Sequence, residues 1–419
     1  MLPEKTEVLI IGGGVIGLAS AYFLSKRSFQ VTLVEKSSLA SEASYGNGGC
    51  INPYHCKHIL SPQDIHDKMN EYDRLGKSEG DDCEERREFL KWVIRISKRH
   101  EETELDNSVR DLTGLANASI ELYRSFTENR ELLTGFEERG YLEVYSSDSA
   151  LNEGIKVSSN LKNEGFKRKI LDKRELLEFE PSLCESVVGG IFYPENGQVY
   201  PPKLAEELSR AAIDRGVKIF TNTEVLDFEI KNNIINNVKT NRGIINADLI
   251  LIACGPWSGK ISKYTGLRLP FQPGKGYALV MNSKKKIFDR AIGFMDKDIG
   301  VIQYTNGKIR ANGLVEFSGF SKNIRNGLMK WIFDESVKMI PSLSSLKIEE
   351  RWCGLRPYTP DGFPIIGYLD GFKNLIMASG HSRLGVTLAP ITGKLISELI
   401  ADGKSSLPIE RFSPSRFNI

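Results

Sequence analysis

The fold of this chain is decided in one stretch, "EVLIIGGGVIGLASAYFLSKRS" (residues 7–28). "EVLII" is an apolar run rich in β-branched residues that ends in glycine, the pattern of a strand buried on both faces. "VIGLASAYFLSKRS" carries apolar residues at helical spacing. "QVTLVEKSS" (residues 30–38) reads as a second strand, so the segment predicts a βαβ unit. Gly12, Gly14 and Gly17 form G-x-G-x-x-G between the strand and the helix, and Glu35 stands at the end of the next strand. That context is what a dinucleotide fingerprint requires. Gly12 permits the tight turn, Gly14 lets a pyrophosphate approach the backbone, and Gly17 lets helix and strand pack closely. The helix start offers free N–H groups and partial positive charge to phosphates. Glu35 is suited to accept both ribose hydroxyls, and its charge repels a 2′-phosphate.

Working outward, the chain has 419 residues, 40% of them hydrophobic and 26% charged, which suits a globular protein with a sizeable core. A net charge of +2 calls for neither nucleic acid nor an anionic membrane as a partner. "MLPEKTEVLIIGGG" enters a strand almost at once and lacks the basic and apolar regions of a secretory leader, so the expectation is a cytoplasmic chain. No apolar run approaches the roughly 20 residues of a membrane span. The six cysteines are scattered and form no C-x-x-C pair. "HCKH" (residues 55–58) is a poor metal site, because adjacent ligands on an extended loop converge badly, and no metal is expected.

Residues 60–135 are charged and mostly helical in pattern, with "EERREFLKWVIRISKRHEE" as an amphipathic helix. Its apolar residues with flanking Arg and Lys make it a candidate contact with a membrane surface or a partner subunit. "RGYLEVYSS" (139–147) predicts a strand, and "KLAEELSRAAIDRGVKIFTNTEVLDFEI" (203–230) a helix followed by a strand. "GYALVMNS" and "GVIQYTNGKIRANG" read as antiparallel strands, and "TLAPITGKLISELIADG" as a final helix stopped at Gly403. The fold class is therefore α/β with α+β character: a Rossmann-like FAD-binding domain with an inserted substrate domain of antiparallel sheet and helices. The expected division gives 1–60, 187–262 and 353–419 to the FAD-binding domain. Residues 61–186 and 263–352, with the helical insertion, go to the substrate-binding domain. The fingerprint itself fits NAD and FAD alike. FAD is favoured by a second glycine-terminated strand deep in the chain, "LILIACGPWSG" (249–259), and by the small polar run "SEASYGNGGCINP" (41–53), which suits an extended cofactor.

Taken with "GGIFYPENGQVYP", "PGKGYALVM", "WCGLRPYTPDGFPIIG" and "GHSRLGVTLAPITGKLISELI", these segments resemble the D-amino acid oxidase superfamily of FAD-dependent oxidoreductases over nearly the whole chain. The likeness is greatest to the small subunit of the D-amino acid dehydrogenases. Glycine and sarcosine oxidases and proline and hydroxyproline dehydrogenases share most of it. One departure stands out: Ser382-Arg383 replaces the Gly-Thr pair of the dehydrogenases, and an arginine there is the glycine oxidase version.

The resemblance implies non-covalent FAD, an amino acid substrate and oxidative deamination by hydride transfer from Cα to the flavin. Electrons would pass to a quinone or dye, or to oxygen in an oxidase. For the cofactor it implies Gly12, Gly14, Val15, Ile16 and Gly17, then Glu35 and Lys36, then Ser44, Asn47, Gly48 and Gly49. Further on it implies Val225, Ala253, Gly255 and Trp257, then Gly354 and Arg356. Near the C-terminus it implies Gly380, His381, Arg383, Leu384, Gly385, Val386 and Thr387. As catalytic residues it implies Arg356, Tyr277 and Arg383.

Arg356 also stands out from the residues alone. A guanidinium matches a carboxylate bidentately, and Pro357 and Pro360 stiffen its backbone before substrate arrives. Arg383 is either a second carboxylate contact or the partner of an acidic loop residue. Tyr277 is either a substrate contact or a strand tyrosine packed on the sheet. Lys275 either approaches the flavin, holds a water or lies on the surface. His381 is read as a residue of the flavin surroundings that tunes electronics or ordering, with a proton shuttle as the alternative.

Overall fold

The computed structural model of the chain describes residues 1–53, 62–74, 83–97, 102–162 and 167–417. Its two large sheets have eight strands each. The first is built on Lys5–Ile11, which pairs in parallel with Val31–Val34 on one side and Gly243–Ile252 on the other. Lys218–Phe220 extends it beyond Val31–Val34, and Leu375–Ser379 extends it beyond Gly243–Ile252. Strands 8–11 and 31–34 are buried throughout, as parallel strands covered on both faces must be. Helices Val15–Lys26, Pro201–Ile213 and Gly385–Asp402 cover one face. A Cβ on Gly393 would lie 2.6 Å from the Ala19 carbonyl oxygen, so that glycine lets the first and last helices cross at backbone distance. The other face carries Leu9, Ile11, Ile250 and Ile252 against Val225, Phe228, Ile235 and Val238 of the hairpin Val225–Lys231/Ile234–Thr240.

The second sheet runs in the order Ile348–Tyr358, Gln272–Asn282, Lys308–Glu316, Ile299–Gln303, Ala291–Phe294, Tyr141–Tyr145, Gly189–Tyr193, Lys169–Asp172. It is antiparallel except where Ala291–Phe294 meets Tyr141–Tyr145. Alternation gives it two faces. Leu142, Val144, Tyr277, Leu279, Ile292 and Val301 pack beneath helix Asn326–Met339. Tyr141, Tyr145, Tyr193, Ile302 and Tyr304 lie on the opposite side.

Three segments depart from the expected division. Gly189–Tyr193 falls within the expected nucleotide-binding part, but it pairs with Tyr141–Tyr145 in the second sheet. The strand Ile348–Tyr358 runs through the expected boundary at 352/353 and pairs with Gln272–Asn282 along its length. Helix Glu102–Glu128, expected with the substrate domain, buries Leu112, Leu115, Ala116 and Tyr123 in the same core as the first and last helices. Hydrophobic periodicity records that a segment has a buried face and not which layer buries it. By contrast, helices Pro62–Arg74 and Cys83–Ser97 pack on the second sheet, where Ile65, Trp92 and Ile96 meet Val315, Phe317 and Tyr358.

Candidate active site

At the glycine turn the sterics are tight. Gly12 has φ +112°, and a Cβ there would lie 2.5 Å from the Ala253 carbonyl oxygen at the end of the neighbouring strand. A Cβ on Gly17 would lie 2.0 Å from the Gly12 carbonyl oxygen. A Cβ on Gly14 would meet only the Ser44 hydroxyl, at 3.3 Å. Gly14 caps helix Val15–Lys26 and brings no side chain of its own to the free amides. The Val15 N–H donates to Ser44 Oγ at 3.1 Å. Glu35 accepts the Gly13 N–H at 2.8 Å on one carboxylate oxygen and the Ser37 N–H at 2.9 Å on the other. The Ser37 hydroxyl also donates to the second oxygen at 3.0 Å, so the acid locks the turn and the oxygen facing Gly13 keeps a second lone pair.

The small polar run forms helix Ala43–Gly46, a turn and the short strand Cys50–Ile51. Sequence reasoning missed what holds this run in place. Arg310 is almost wholly buried, and its Nη1 donates to the carbonyls of Tyr45 at 2.6 Å and Asn47 at 2.7 Å. Tyr304 donates to the Gly48 carbonyl at 2.6 Å. Both residues come from the second sheet, in "GVIQYTNGKIRANG", where the sequence shows only strand alternation.

A single continuous cavity of about 560 Å³ joins these parts. Gly12, Gly14, Val15, Ile16, Glu35 and Lys36 line it, with Ser44, Asn47 and Gly48. So do Val225, Ala253, Gly255 and Trp257, and then Gly354, Arg356, His381, Arg383, Gly385 and Val386. The Lys36 ammonium sits 3.6 Å from the centre of the Trp257 ring. The cradle that a Cβ would fill and the helix start supply amide donors for a diphosphate, and the acid beside them supplies an acceptor for ribose hydroxyls, the set that FAD needs.

Arg356 reaches this cavity from strand Ile348–Tyr358. Its guanidinium lies over Gly276 of the neighbouring strand, where a Cβ would come within 2.5 Å of it. Its Nη1 donates to the Leu314 carbonyl at 2.7 Å. Leu314 sits at φ +62° in a bulge, because the register slips between the pairs Lys275–Glu316 and Tyr277–Gly313. The left-handed backbone turns the carbonyl out of the ladder and onto the arginine. No carboxylate among the described residues pairs with Arg356. Arg383, also on the cavity wall, has its Nη1 3.8 Å from the Asp298 carboxylate. Of the two alternatives read from the sequence, the structure shows the acidic loop partner.

Tyr277 needs a correction. It is absent from the cavity wall, because Gly276 takes that face and alternation turns Tyr277 into the core beneath helix Asn326–Met339. Its hydroxyl donates to Glu316, and burial with that partner pushes its pKa well up. Lys275 is neither at the surface nor at the cavity; it is buried, with its ammonium 3.1 Å from Glu316. Gly17, Gly49, Gly380, Leu384 and Thr387 also lie behind the wall. Gly49 fits only without a side chain, since a Cβ would lie 2.0 Å from the Val199 carbonyl oxygen. Leu384 caps helix Gly385–Asp402, and Thr387 donates to the Cys50 carbonyl at 3.3 Å. Residues 55–58 lie outside the described residues. Gly276, Leu314 and Asp298 also line the cavity, and the sequence does not mark them, since their places depend on bulges and turns that strand patterns do not encode.

His381 is buried, with Nε2 3.0 Å from Thr392 Oγ1. Burial pushes its pKa down to about 3, so the ring is neutral at working pH. The unfolded chain takes up this proton near pH 6.5. Stability is therefore intact above that value and falls as pH drops toward about 3. His381→Gln keeps a partner for Thr392 and removes this loss, which reaches about 1.4 kcal/mol per pH unit. Denaturant midpoints compared at about pH 7 and about pH 5 should decline less in the variant; equal declines would exclude His381 as the source.

A sequence model of the FAD dependent oxidoreductase family matches residues 7–399. A D-amino acid dehydrogenase from Helicobacter pylori is 25% identical over 405 residues, which cover 95% of this chain and 96% of that one. Among solved structures, glycine oxidase from Bacillus cereus is similar with a TM-score of 0.77 at 25% identity, covering 96% of both chains. L-Proline dehydrogenase from P. horikoshii is similar with a TM-score of 0.76 at 26% identity, covering 100% of this chain and 99% of that one.

Proposed function

This chain belongs to the family of FAD-dependent oxidoreductases, and on that footing we propose that it is an amino acid dehydrogenase. It oxidises the Cα–N bond of a small amino acid, a D-amino acid such as D-alanine or D-proline, and passes electrons to a quinone or dye. The observation that carries this reading is Arg356: a preset guanidinium without a described acidic partner, at the wall of the cavity that holds the glycine cradle. The dehydrogenase names of the relatives support it.

Gly12, Gly14, Ser44 and Glu35 would hold the diphosphate and ribose, and the Asn47–Gly48 turn and the His381 loop would flank the ring system. Bound FAD supplies the acceptor for a hydride. The chain's part is to place the substrate. Arg356 takes the carboxylate on its remaining N–H groups while the Leu314 carbonyl fixes its plane. With the carboxylate fixed, rotation of the substrate is limited and Cα–H has a defined direction. An amine that arrives neutral needs no base from the protein. The imino acid formed is hydrolysed by water to a 2-oxo acid and ammonia.

An oxidase is the second reading. The glycine oxidase version of the Arg383 motif favours it, and so does the solved glycine oxidase. The Asp298 partner of Arg383 weighs against that arginine as a free second clamp. Peroxide formed during turnover would select the oxidase. No described helix is long and apolar enough to cross a membrane. Leu90 and Ile94, exposed beside Lys91 and Arg95 on helix Cys83–Ser97, support a peripheral contact with a membrane or partner.

The test is anaerobic titration of the FAD-loaded protein with D- and L-amino acids, followed by flavin absorbance. Bleaching by D-alanine or D-proline, with the L-forms inert, is expected. Bleaching by glycine, sarcosine or L-proline alone would move the substrate to those classes, and no bleaching by any amino acid would overturn the reading.

A further inference from the structure

Arg310 is only 1% exposed, and no carboxylate among the described residues pairs with it. Glu350, two strands away in the same row, accepts the Tyr45 hydroxyl at 2.6 Å instead. The Nε of Arg310 has no hydrogen-bond partner among the described residues. A buried charge without a counter-charge is costly, which points to an anion that the site receives. The contacts of Arg310 show where that anion forms. Its Nη1 donates to the Asn47 carbonyl, the oxygen of the peptide that joins Asn47 to Gly48. That peptide is trans, so its N–H points away from its carbonyl. The Gly48 N–H therefore points away from Arg310, and it has no partner among the described residues. The next amide, Gly49 N–H, is taken by the Asn47 side chain at 2.7 Å. Tyr304 holds the Gly48 carbonyl at 2.6 Å, so the turn is pinned at two successive carbonyls. Gly48 lines the cavity, as do Asn47 and Arg356. An oriented donor is thus left open at the wall, with a buried cation behind its peptide.

We propose that Arg310 is a positioning residue for electron acceptance: it holds the Gly48 N–H toward the ring system of bound FAD, and through that peptide its charge favours the reduced ring. Reduction by a hydride brings two electrons and one proton, so the ring system gains one negative charge. A donor backed by a cation stabilises that charge more than a neutral donor does. The donor is preset, because Arg310 and Tyr304 hold the turn before any ligand enters. The inference rests on the cofactor placement of the proposed function, with the ring system beside the Asn47–Gly48 turn.

The test is the reduction potential of the flavin. FAD-loaded protein is reduced slowly and chemically in the presence of a dye of known potential, and both spectra are followed. Arg310→Gln keeps a donor for the Asn47 carbonyl and removes the charge, whereas Arg310→Lys keeps the charge. In Arg310→Gln the equilibrium constant for reduction should fall about tenfold or more, the difference between a charge-assisted and a neutral hydrogen bond. For a two-electron couple that is a drop of about 30 mV. Arg310→Lys should stay within about threefold of the wild type, since the cation remains. Tyr304→Phe loosens the same turn without changing its charge, and it should shift the constant less than Arg310→Gln does. An unchanged constant in Arg310→Gln would overturn the proposal, as would an equal fall in the lysine or the phenylalanine variant. If the glutamine variant does not fold, the lysine variant decides alone, and a fall of about tenfold there overturns the role of the charge. No amino acid enters this measurement. If none reduces the flavin of the wild type, the functional reading fails, and the dye equilibrium still decides the role of Arg310.

Discussion

Arg356→Ala raises KM for the amino acid roughly 30- to 1000-fold, the consequence of losing about 2–4 kcal/mol of charge-assisted contact to a carboxylate. The effect is large because the guanidinium is prepaid in position. Gly276 clears the space beneath it, Leu314 supplies a carbonyl at 2.7 Å, and no described acid competes for it. Substrate binding therefore has little side-chain ordering left to do. If the carboxylate contact is made equally in ground and transition states, KM carries the whole loss; a fall in kcat as well shows that it also aims Cα–H. Arg356→Lys should recover little, since a point charge cannot reproduce the planar fork. FAD content should remain near that of the wild type, because the hydrogen bond of Arg356 goes to Leu314 and not to the glycine turn. Steady-state kinetics with a dye acceptor check this. Unchanged KM in a variant that keeps its flavin would remove Arg356 from the site.

Gly17→Ala should give a chain that retains little FAD. The added methyl would lie 2.0 Å from the Gly12 carbonyl oxygen, which is backbone and has no rotamer to yield. Gly12 is itself pressed against Ala253 and held at φ +112°, so the turn has no direction in which to retreat. Either the helix start moves away or the turn opens, and both displace the amides that face the diphosphate. Overpacking of this kind costs about 1–3 kcal/mol in stability as well. Gly14→Ala meets only a hydroxyl at 3.3 Å and should be far milder. The ratio of flavin to protein absorbance after purification ranks the two. Equal flavin retention would show that close packing at Gly17 does not serve the cofactor.

How far the sequence reaches can be seen in particular residues. Gly12, Gly17 and Glu35 are legible because their constraints are local. A strand, a tight turn and a helix within 30 residues leave few arrangements, and glycine is the residue that fits where backbones meet. Arg356 is legible for a different reason: an arginine between stiff, apolar neighbours has no ordinary surface role. Tyr277 misleads because its neighbours in "PGKGYALVM" do belong to the site, and strand alternation sends Gly276 to the cavity and Tyr277 to the core. Choosing the face requires the partner sheet, and the bulge at Leu314 shifts the register as well.

The sequence by itself determined the doubly covered parallel sheet, the cofactor turn and the presence of one poised arginine. These follow from periodicity, glycine sterics and charge, which act over short spans of chain. Only the tertiary structure decided that Arg310 and Tyr304 hold the 45–48 turn from the second sheet. It also decided that helix Glu102–Glu128 joins the nucleotide-binding core and that Asp298 stands against Arg383. Those pairings join residues from about 85 to about 270 positions apart. They are fixed by packing and register between elements, which no local pattern records.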